Sequence, residues 1–209
     1  MIIRKAGLVL ERLTRARLEE ARVGRNSPRV REQLLDAVEI TPEQQIAWFE
    51  SLDLRRAIYW MVLKEDVSIG MVYLTQMQLD RDAADPTRTR FGIFFWDPRY
   101  LNSVIPFRAQ FVAASFAYHL LAVEEGSIIV KTGNRASHRF SLTFGMRPTG
   151  TDEAAGVIHY GLSREGFCQN TPGLNRLFRL REDPLPLRWD DVRLDEEEQW
   201  LRDRLEVSS

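Results

Sequence analysis

Arg25, Asn26 and Arg31 are side chains that donate hydrogen bonds to sugar or nucleotide oxygens, and Trp48 is one that stacks on a ring. A guanidinium is a charged, forked donor, and a carboxamide adds a paired donor and acceptor. The same residues also fit a structural assignment, with the polar three on a helix surface and Trp48 beside Phe49 in a core. Tyr59 and Tyr73 lie on strand-like sequence and are the phenols that a pocket would use. His119, His138 and His159 lack the His-x-x-x-His or cysteine spacing of a metal site, so no metal is expected. Cys168 is the single cysteine, which excludes an internal disulfide, and a plain thiol is expected.

The elements that must position these groups are legible from periodicity and punctuation. Leu8–Leu13 reads as a strand, and a helix capped by Thr14 follows, broken at Gly24 and stopped before Pro28. A second helical piece covers Arg29–Val38. Thr41, Pro42 and Gln44 form a capping-box start for a helix over Thr41–Leu52. Ala57–Leu63 and Ser68–Met77 read as a hairpin, Gln78–Pro86 as a polar loop, and Arg88–Trp96 as a strand buried on both faces. Pro106–Val123 is a long helix with Phe107, Phe111, Ala114, Tyr118 and Leu121 on one stripe, ending at Gly126. Ser127–Lys131 is a short apolar strand, Asn134–Thr143 a helix, and Val157–Leu162 a last strand. Beyond Ser163 the pattern gives short helices interrupted at Pro172-Gly173, an extended Pro-rich connection, and an acidic helix over Asp195–Leu205.

At 209 residues with 44% hydrophobic side chains, the chain builds one core; residues 1–165 read as a domain and 166–209 as an extension. The net charge of −1 argues against a dedicated nucleic-acid partner. No apolar run reaches the roughly 18–20 residues of a membrane span, and no signal-peptide core is present, so no membrane partner and a cytoplasmic setting are expected. Residues 1–31 carry nine basic side chains against three acids, and 189–207 eight acids against three arginines. The two segments read as solvated faces that attract one another, within one chain or between two copies in a homodimer; the alternative is a basic mouth for an anionic ligand.

From Arg88 to Met146 the order is strand, loop, long helix, apolar strand, Asn-initiated helix, Gly-Met. This resembles the acyl-CoA-dependent GNAT N-acyltransferases. The resemblance implies a mixed α/β (α+β) fold with a mostly antiparallel sheet, splayed near Trp96 and flanked by helices. The stretch Arg99-Tyr-Leu-Asn102-Ser103-Val104 stands where the family's glycine-rich pyrophosphate loop enters the long helix; Asn102 and Val104 replace glycines, whose positive φ such a loop uses. Asn134, Ser137 and Gly145-Met146 match the family's following helix. GRNSPRVREQ and ITPEQQIAWFESL are similar to segments of bacterial amino-sugar N-acetyltransferases of the flagellin-glycan type; Gly24 and Gln45 stand where a Trp and a His are expected.

The resemblance implies transfer of an acyl group from acetyl-CoA or another acyl-CoA, the co-substrate, to the amine of a small molecule such as an amino sugar, without a metal. Backbone groups of Phe94, Phe95 and Trp96 then hold pantetheine and polarise the thioester. Arg99, Asn102, Ser103 and Val104 face the pyrophosphate, and Asn134 and Ser137 the pantetheine arm. Arg25, Asn26, Arg31 and Trp48 flank the acceptor. Glu43, Tyr73 and Asp97 are the candidate bases. Ser141 occupies the place of a tyrosine that protonates the departing thiolate in many members. The alternative is a catalytically inactive module of the same fold that has lost tight coenzyme A binding and holds another ligand or a protein.

Overall fold

In the computed structural model, which describes residues 1–79 and 85–206, nine strands form one sheet. They are β1 (Ile2–Lys5), β2 (Leu8–Arg12), β3 (Ile58–Lys64), β4 (Val67–Gln78), β5 (Arg88–Phe95), β6 (Glu125–Lys131), β7 (Arg147–Asp152), β8 (Val157–Ser163) and β9 (Val192–Arg193). The order across the sheet is β7-β8-β6-β5-β4-β3-β2-β1-β9. Every neighbouring pair is antiparallel except β5 and β6, which run parallel. This is the mixed, mostly antiparallel sheet that the resemblance implies.

Helices α1 (Leu18–Asn26) and α3 (Pro42–Glu50) pack in one core cluster, with α2 (Pro28–Gln33) between them in sequence, and α4 (Ile105–Ser115), α5 (Arg135–Thr143) and α6 (Arg164–Leu177) pack in the other. That double cover explains why β3 is buried on both faces. Met61, Leu63 and Met71 pack with Leu18 and Ala21 of α1. Trp60, Val62 and Val72 face α4 and its neighbours. Burying each such side chain contributes about 1.5–3 kcal/mol. The start of α3 follows its sequence: Thr41 accepts from the Gln44 N–H at 3.3 Å, and Gln44 accepts from the Thr41 N–H at 2.8 Å.

Several boundaries differ from the sequence expectation. The second helical piece stops at Gln33, because Leu34 turns extended and the Asp36 carboxylate takes the Val38 N–H. The long helix ends in a π-type turn over Phe116–Leu120 and reverses through Ala122 at φ 52°. Gly126 therefore does not stop it; it lies inside β6, where a Cβ would overlap the Tyr118 hydroxyl and the Phe91 ring. α6 runs through Pro172, because Phe167, Thr171 and Leu174 hold it on the core. β7 is exposed along its whole length and so carries no hydrophobic alternation. Part of the polar loop expected over Gln78–Pro86 lies outside the described residues.

Residues beyond 165 share the same core. Phe167 packs on Phe111 and Tyr118, and Leu180, Leu185, Leu187 and Leu201 are buried with them. β9 adds an edge strand to β1. The charge attraction between the two ends acts within one chain. Lys5 pairs with Asp183 at 2.8 Å and Asp191 at 3.2 Å, and Arg12 pairs with the buried Glu198. α7 (Trp200–Glu206) closes the described chain.

Candidate functional site

β5 and β6 pair through three positions: Arg88 with Glu125, Thr89 with Gly126, and Arg90 with Ser127. Beyond them β5 continues on β4 to Phe95, while β6 continues on β8 to Lys131. The parallel strands therefore part, each with an unpaired inner edge. Backbone alternation decides which groups line it. The N–H groups of Trp96 and Asp97 both bond to the Ile69 carbonyl of β4, at 3.2 and 3.3 Å. Phe94 and Trp96 thus turn their backbone to β4, and Phe91, Ile93 and Phe95 turn theirs into the parting. Of the three residues expected to offer backbone groups there, Phe95 does so and Phe94 and Trp96 do not. An open row of N–H and C=O groups is a template for one more extended chain.

One face of this parting is roofed by α1 and α2. The Trp96 ring lies on Gly24 of α1, so close that a Cβ at Gly24 would overlap it, and the Trp96 indole N–H donates to the Ser68 carbonyl at 3.2 Å. At the other strand, Lys131 Nζ donates to the Glu32 carbonyl of α2 at 3.2 Å. The helix pair thereby bridges the ends of the two strands. Beneath it, the Tyr73 ring of β4 lies across β5 at Gly92, whose missing side chain makes the room. Tyr73 stacks on Tyr59 with centroids 5.1 Å apart, and Trp48 meets Tyr59 edge-on at 4.9 Å. Trp48 is thus the outer member of an aromatic row whose inner member, Tyr73, reaches the parting. Burial pushes the Tyr73 phenol up, and Arg25 and Arg90 pull it partly back; burial pushes Tyr59 up to about 12.

Arg25, Asn26 and Arg31 do other work than expected. Arg25 donates to the carbonyls of Val38 (2.8 Å) and Asp36 (3.2 Å). Asn26 clasps Ile40, donating to its carbonyl at 2.7 Å and accepting from its N–H at 3.1 Å. Arg31 pairs with Glu39 at 2.8 Å. All three pin the connection between α2 and α3, because that segment has no secondary structure to satisfy its own backbone. They shape the roof instead of presenting free donors beneath it.

The loop before α4 also departs from expectation. Val104 sits at φ −73°, ψ −11°, and Asn102 is not among the residues of positive φ. The loop is a run of turns that uses up several donors. The Arg99 N–H goes to the Asp97 carboxylate, the Ser103 N–H to the Tyr100 carbonyl, and the Ile105 N–H to Ser103 Oγ. Pro98 and Pro106 have none. Among the described residues, the N–H groups of Leu101, Asn102, Val104 and Phe107 have no partner. The Arg99 guanidinium is held by Asp97, at 2.6 Å from Nη2 and 3.0 Å from Nε.

Asn134 caps α5, its Oδ1 accepting from the Ser137 N–H at 3.0 Å. Ser141 is fully buried and donates to the Ser137 carbonyl at 2.9 Å, so its proton is already engaged. His138 Nε2 lies 3.1 Å from the Thr132 carbonyl, which only accepts; Nδ1 is then the acceptor for the Tyr160 hydroxyl at 2.9 Å. The carboxylates considered as bases are held acidic. Hydrogen bonding with Thr41 holds Glu43 below the ordinary carboxylate range on an exposed helix start, and the Arg99 guanidinium does the same to Asp97. No group of three or more His, Cys, Asp or Glu that would suit a metal occurs among the described residues. No described helix is long and apolar enough to cross a membrane.

Two residues of this site were not read from the sequence. Gly92 and Arg90 lie in the strand RTRFGIFF, where Arg90 follows Arg88 on one face and a glycine interrupts the apolar run from Phe91 to Phe95. That interruption was the available signal.

Residues 7–147 match the family described as the acetyltransferase (GNAT) domain. No curated protein sequence matches the chain. Solved structures with a similar fold include apo FdhC, a nucleotide-linked sugar GNAT (TM-score 0.70, 16% identity, 85% of this chain and 98% of that one). Spermidine N-acetyltransferase from Vibrio cholerae, in complex with CoA and spermine, superposes with a TM-score of 0.67 at 13% identity over 78% of this chain and 99% of that one. Mycobacterium smegmatis RimJ in complex with CoA-disulfide gives 0.67 at 11% identity, covering 85% and 92%.

Proposed function

We propose that this chain, which belongs to the GNAT acetyltransferase family, transfers an acyl group, acetyl first among the candidates, from acyl-coenzyme A to the amine of a small molecule such as an amino sugar. The observation that carries this is the parting of β5 from β6 after Arg90 and Ser127, with the backbone of Phe91, Ile93 and Phe95 turned into it. An extended pantetheine arm fits such an edge, and an acyl-CoA supplies a thioester already activated for attack. N–H groups on that edge polarise the thioester carbonyl, an oxyanion-type contribution. Asn134 and Ser137 lie at the start of the helix that follows β6, on the arm's path.

The acceptor enters beneath the roof of α1 and α2. Tyr73, kept protonated by burial, donates a hydrogen bond at the edge of the parting and takes no proton itself. Glu43 and Asp97, both held acidic, are weak bases at neutral pH. The amine is therefore bound neutral, or gives its proton to water; its nitrogen bonds to the carbonyl carbon as the carbon–sulfur bond breaks. With Ser141 bonded to Ser137, the departing thiolate takes its proton from solvent.

A second reading is favoured by one specific observation, the loop before α4. Its donors are partly used internally and Asp97 holds Arg99, so the grip on a pyrophosphate is reduced. On that reading the chain is a non-catalytic module with the same cleft. Thermal melting with millimolar acetyl-CoA separates the two, since a ligand that binds only the native state stabilises it by about 2.7 kcal/mol at a hundred times Kd. A rise in Tm, with amine-dependent release of free thiol, supports transfer. No rise moves the assignment to the module.

A further inference from the structure

Arg90, where the parting begins, is a charged side chain whose hydrogen-bonding needs are not met among the described residues. It sits at the last position where β5 and β6 pair, half-buried, on the face that α1 and α2 roof. Its Nε is buried and has no hydrogen-bond partner, and no carboxylate among the described residues pairs with its guanidinium. Its neighbour on the same strand face, Arg88, by contrast lies 3.9 Å from the Asp85 carboxylate. A buried charged donor left unpaired is costly, and such groups in native proteins need an explanation.

The side chains beside it in the sheet are short. Across the sheet, Arg90 lies in a row with Thr75, Ser127 and Gly161, all of them small. Thr75 and Ser127 point their hydroxyl protons at backbone carbonyls of β5, Arg90 and Thr89, both at 3.4 Å. Tyr73, whose hydroxyl makes no hydrogen bond to a described residue, lies one step further along the same face, over Gly92. The nearby acids sit with Arg88, one turn of the pleat away: Asp85 at 3.9 Å and its register partner Glu125.

We infer that Arg90 is a specificity-determining residue, that it clasps an anionic group, phosphate or carboxylate, on the amine acceptor, and that the chain selects anion-bearing amines over polyamines. This rests on the acyl-transfer reading for the identity of the site. A guanidinium fork matches the two oxygens of either anion, and the Tyr73 hydroxyl adds a donor beside it. A polycation would meet the guanidinium of Arg90, which no carboxylate among the described residues neutralises. The same cation beside the acceptor favours the amine in its neutral, nucleophilic form.

Binding tests this apart from catalysis. The probes are glucosamine 6-phosphate, glutamate, glucosamine and spermidine, titrated calorimetrically into the full chain with and without acetyl-CoA. Glucosamine 6-phosphate or glutamate is expected to bind at least tenfold more tightly than glucosamine and spermidine, and the better of the two tells phosphate from carboxylate. In Arg90→Gln the preference collapses to near unity, Arg90→Lys keeps part of it, and Arg88→Gln keeps it all. The acetyl-CoA melting shift stays as in wild type, which shows that Arg90→Gln is folded. Equal binding of charged and neutral amines, tighter binding of spermidine, or an Arg90→Gln variant that keeps the preference would each overturn the proposal. Should anionic amines bind through Arg90 while no acyl transfer occurs, the transfer reading fails and the anion site stands.

Discussion

Replacing Gly92 by Ala puts a methyl where the Tyr73 ring and hydroxyl already are. The ring has little freedom to retreat, because it stacks on Tyr59 at 5.1 Å and 27° and leans on Phe94 at 6.2 Å. Overpacking of this kind costs about 1–3 kcal/mol. In a chain of this size each kcal/mol lowers Tm by about 2–4 °C, so a fall of roughly 2–12 °C is expected. Tyr73→Ala alone loses the ring's packing and leaves a cavity, at about 2–4 kcal/mol. In the double variant the alanine meets no ring, so the pair costs no more than Tyr73→Ala by itself. Urea denaturation of the four proteins gives the coupling directly, provided the m-values agree. Additive costs within about 0.5 kcal/mol, or an unchanged Tm in Gly92→Ala, would refute the placement of Tyr73 over Gly92 and with it the phenol at the parting.

Asp97→Ala releases the Arg99 guanidinium and removes a negative charge next to the phosphate loop, so calorimetry is expected to show acetyl-CoA binding about fivefold to tenfold tighter; weaker binding would mean that the Asp97–Arg99 pair builds the site. Val104→Gly, at φ −73°, relieves no strain: it is expected to lower stability by about 0.5–1 kcal/mol without tightening acetyl-CoA binding, and tighter binding would restore the glycine argument. Burial lowers the Lys5 pKa, but hydrogen bonds and attraction to Asp183 and Asp191 outweigh it, and the net shift is upward from 10.5. A raised folded-state pKa gives stability that is fully present below 10.5 and lost as pH rises through the folded value. Lys5→Met is therefore less stable than wild type at pH 7 by about 1 kcal/mol, and the gap closes in strong alkali; a gap that persists there would assign the effect to packing.

The fold was legible because its signals are local. The capping box at Thr41, the alternation in β3 and β4, and the apolar girth of α4 each follow from period and punctuation. What escaped was set by distant partners. β7 is polar throughout and is a strand because β8 pairs with it. α6 keeps going past Pro172 because Phe167 and Leu174 are anchored on α4. The candidate site divides in the same way. Tyr73 reaches the parting from β4, and of the three residues that the resemblance implied for its edge, Phe95 turns its backbone there. Arg25, Asn26 and Arg31 have the right chemistry for an acceptor and use it on the carbonyls of Asp36, Val38 and Ile40 and the Glu39 carboxylate. Residue type shows what a group can bind; only the fold shows whether that capacity is already taken.

Gly24 makes the same point in reverse. In the segment similar to amino-sugar acetyltransferases a tryptophan is expected there, and by sequence alone the glycine is a loss of an aromatic beside the acceptor. In three dimensions the buried stripe of α1 runs Leu18, Ala21, Gly24, diminishing toward β5, and the Trp96 ring fills the space at its end, within 3.0 Å of where a Cβ would stand. The indole is held from the other side by its bond to the Ser68 carbonyl. An aromatic thus still lies between α1 and the end of β5, supplied by the strand. The helix could not carry a side chain at this position without expelling Trp96. Since Trp96 ties the first helix to the strand whose edge opens at Phe95, the glycine holds the roof over the parting at its present height.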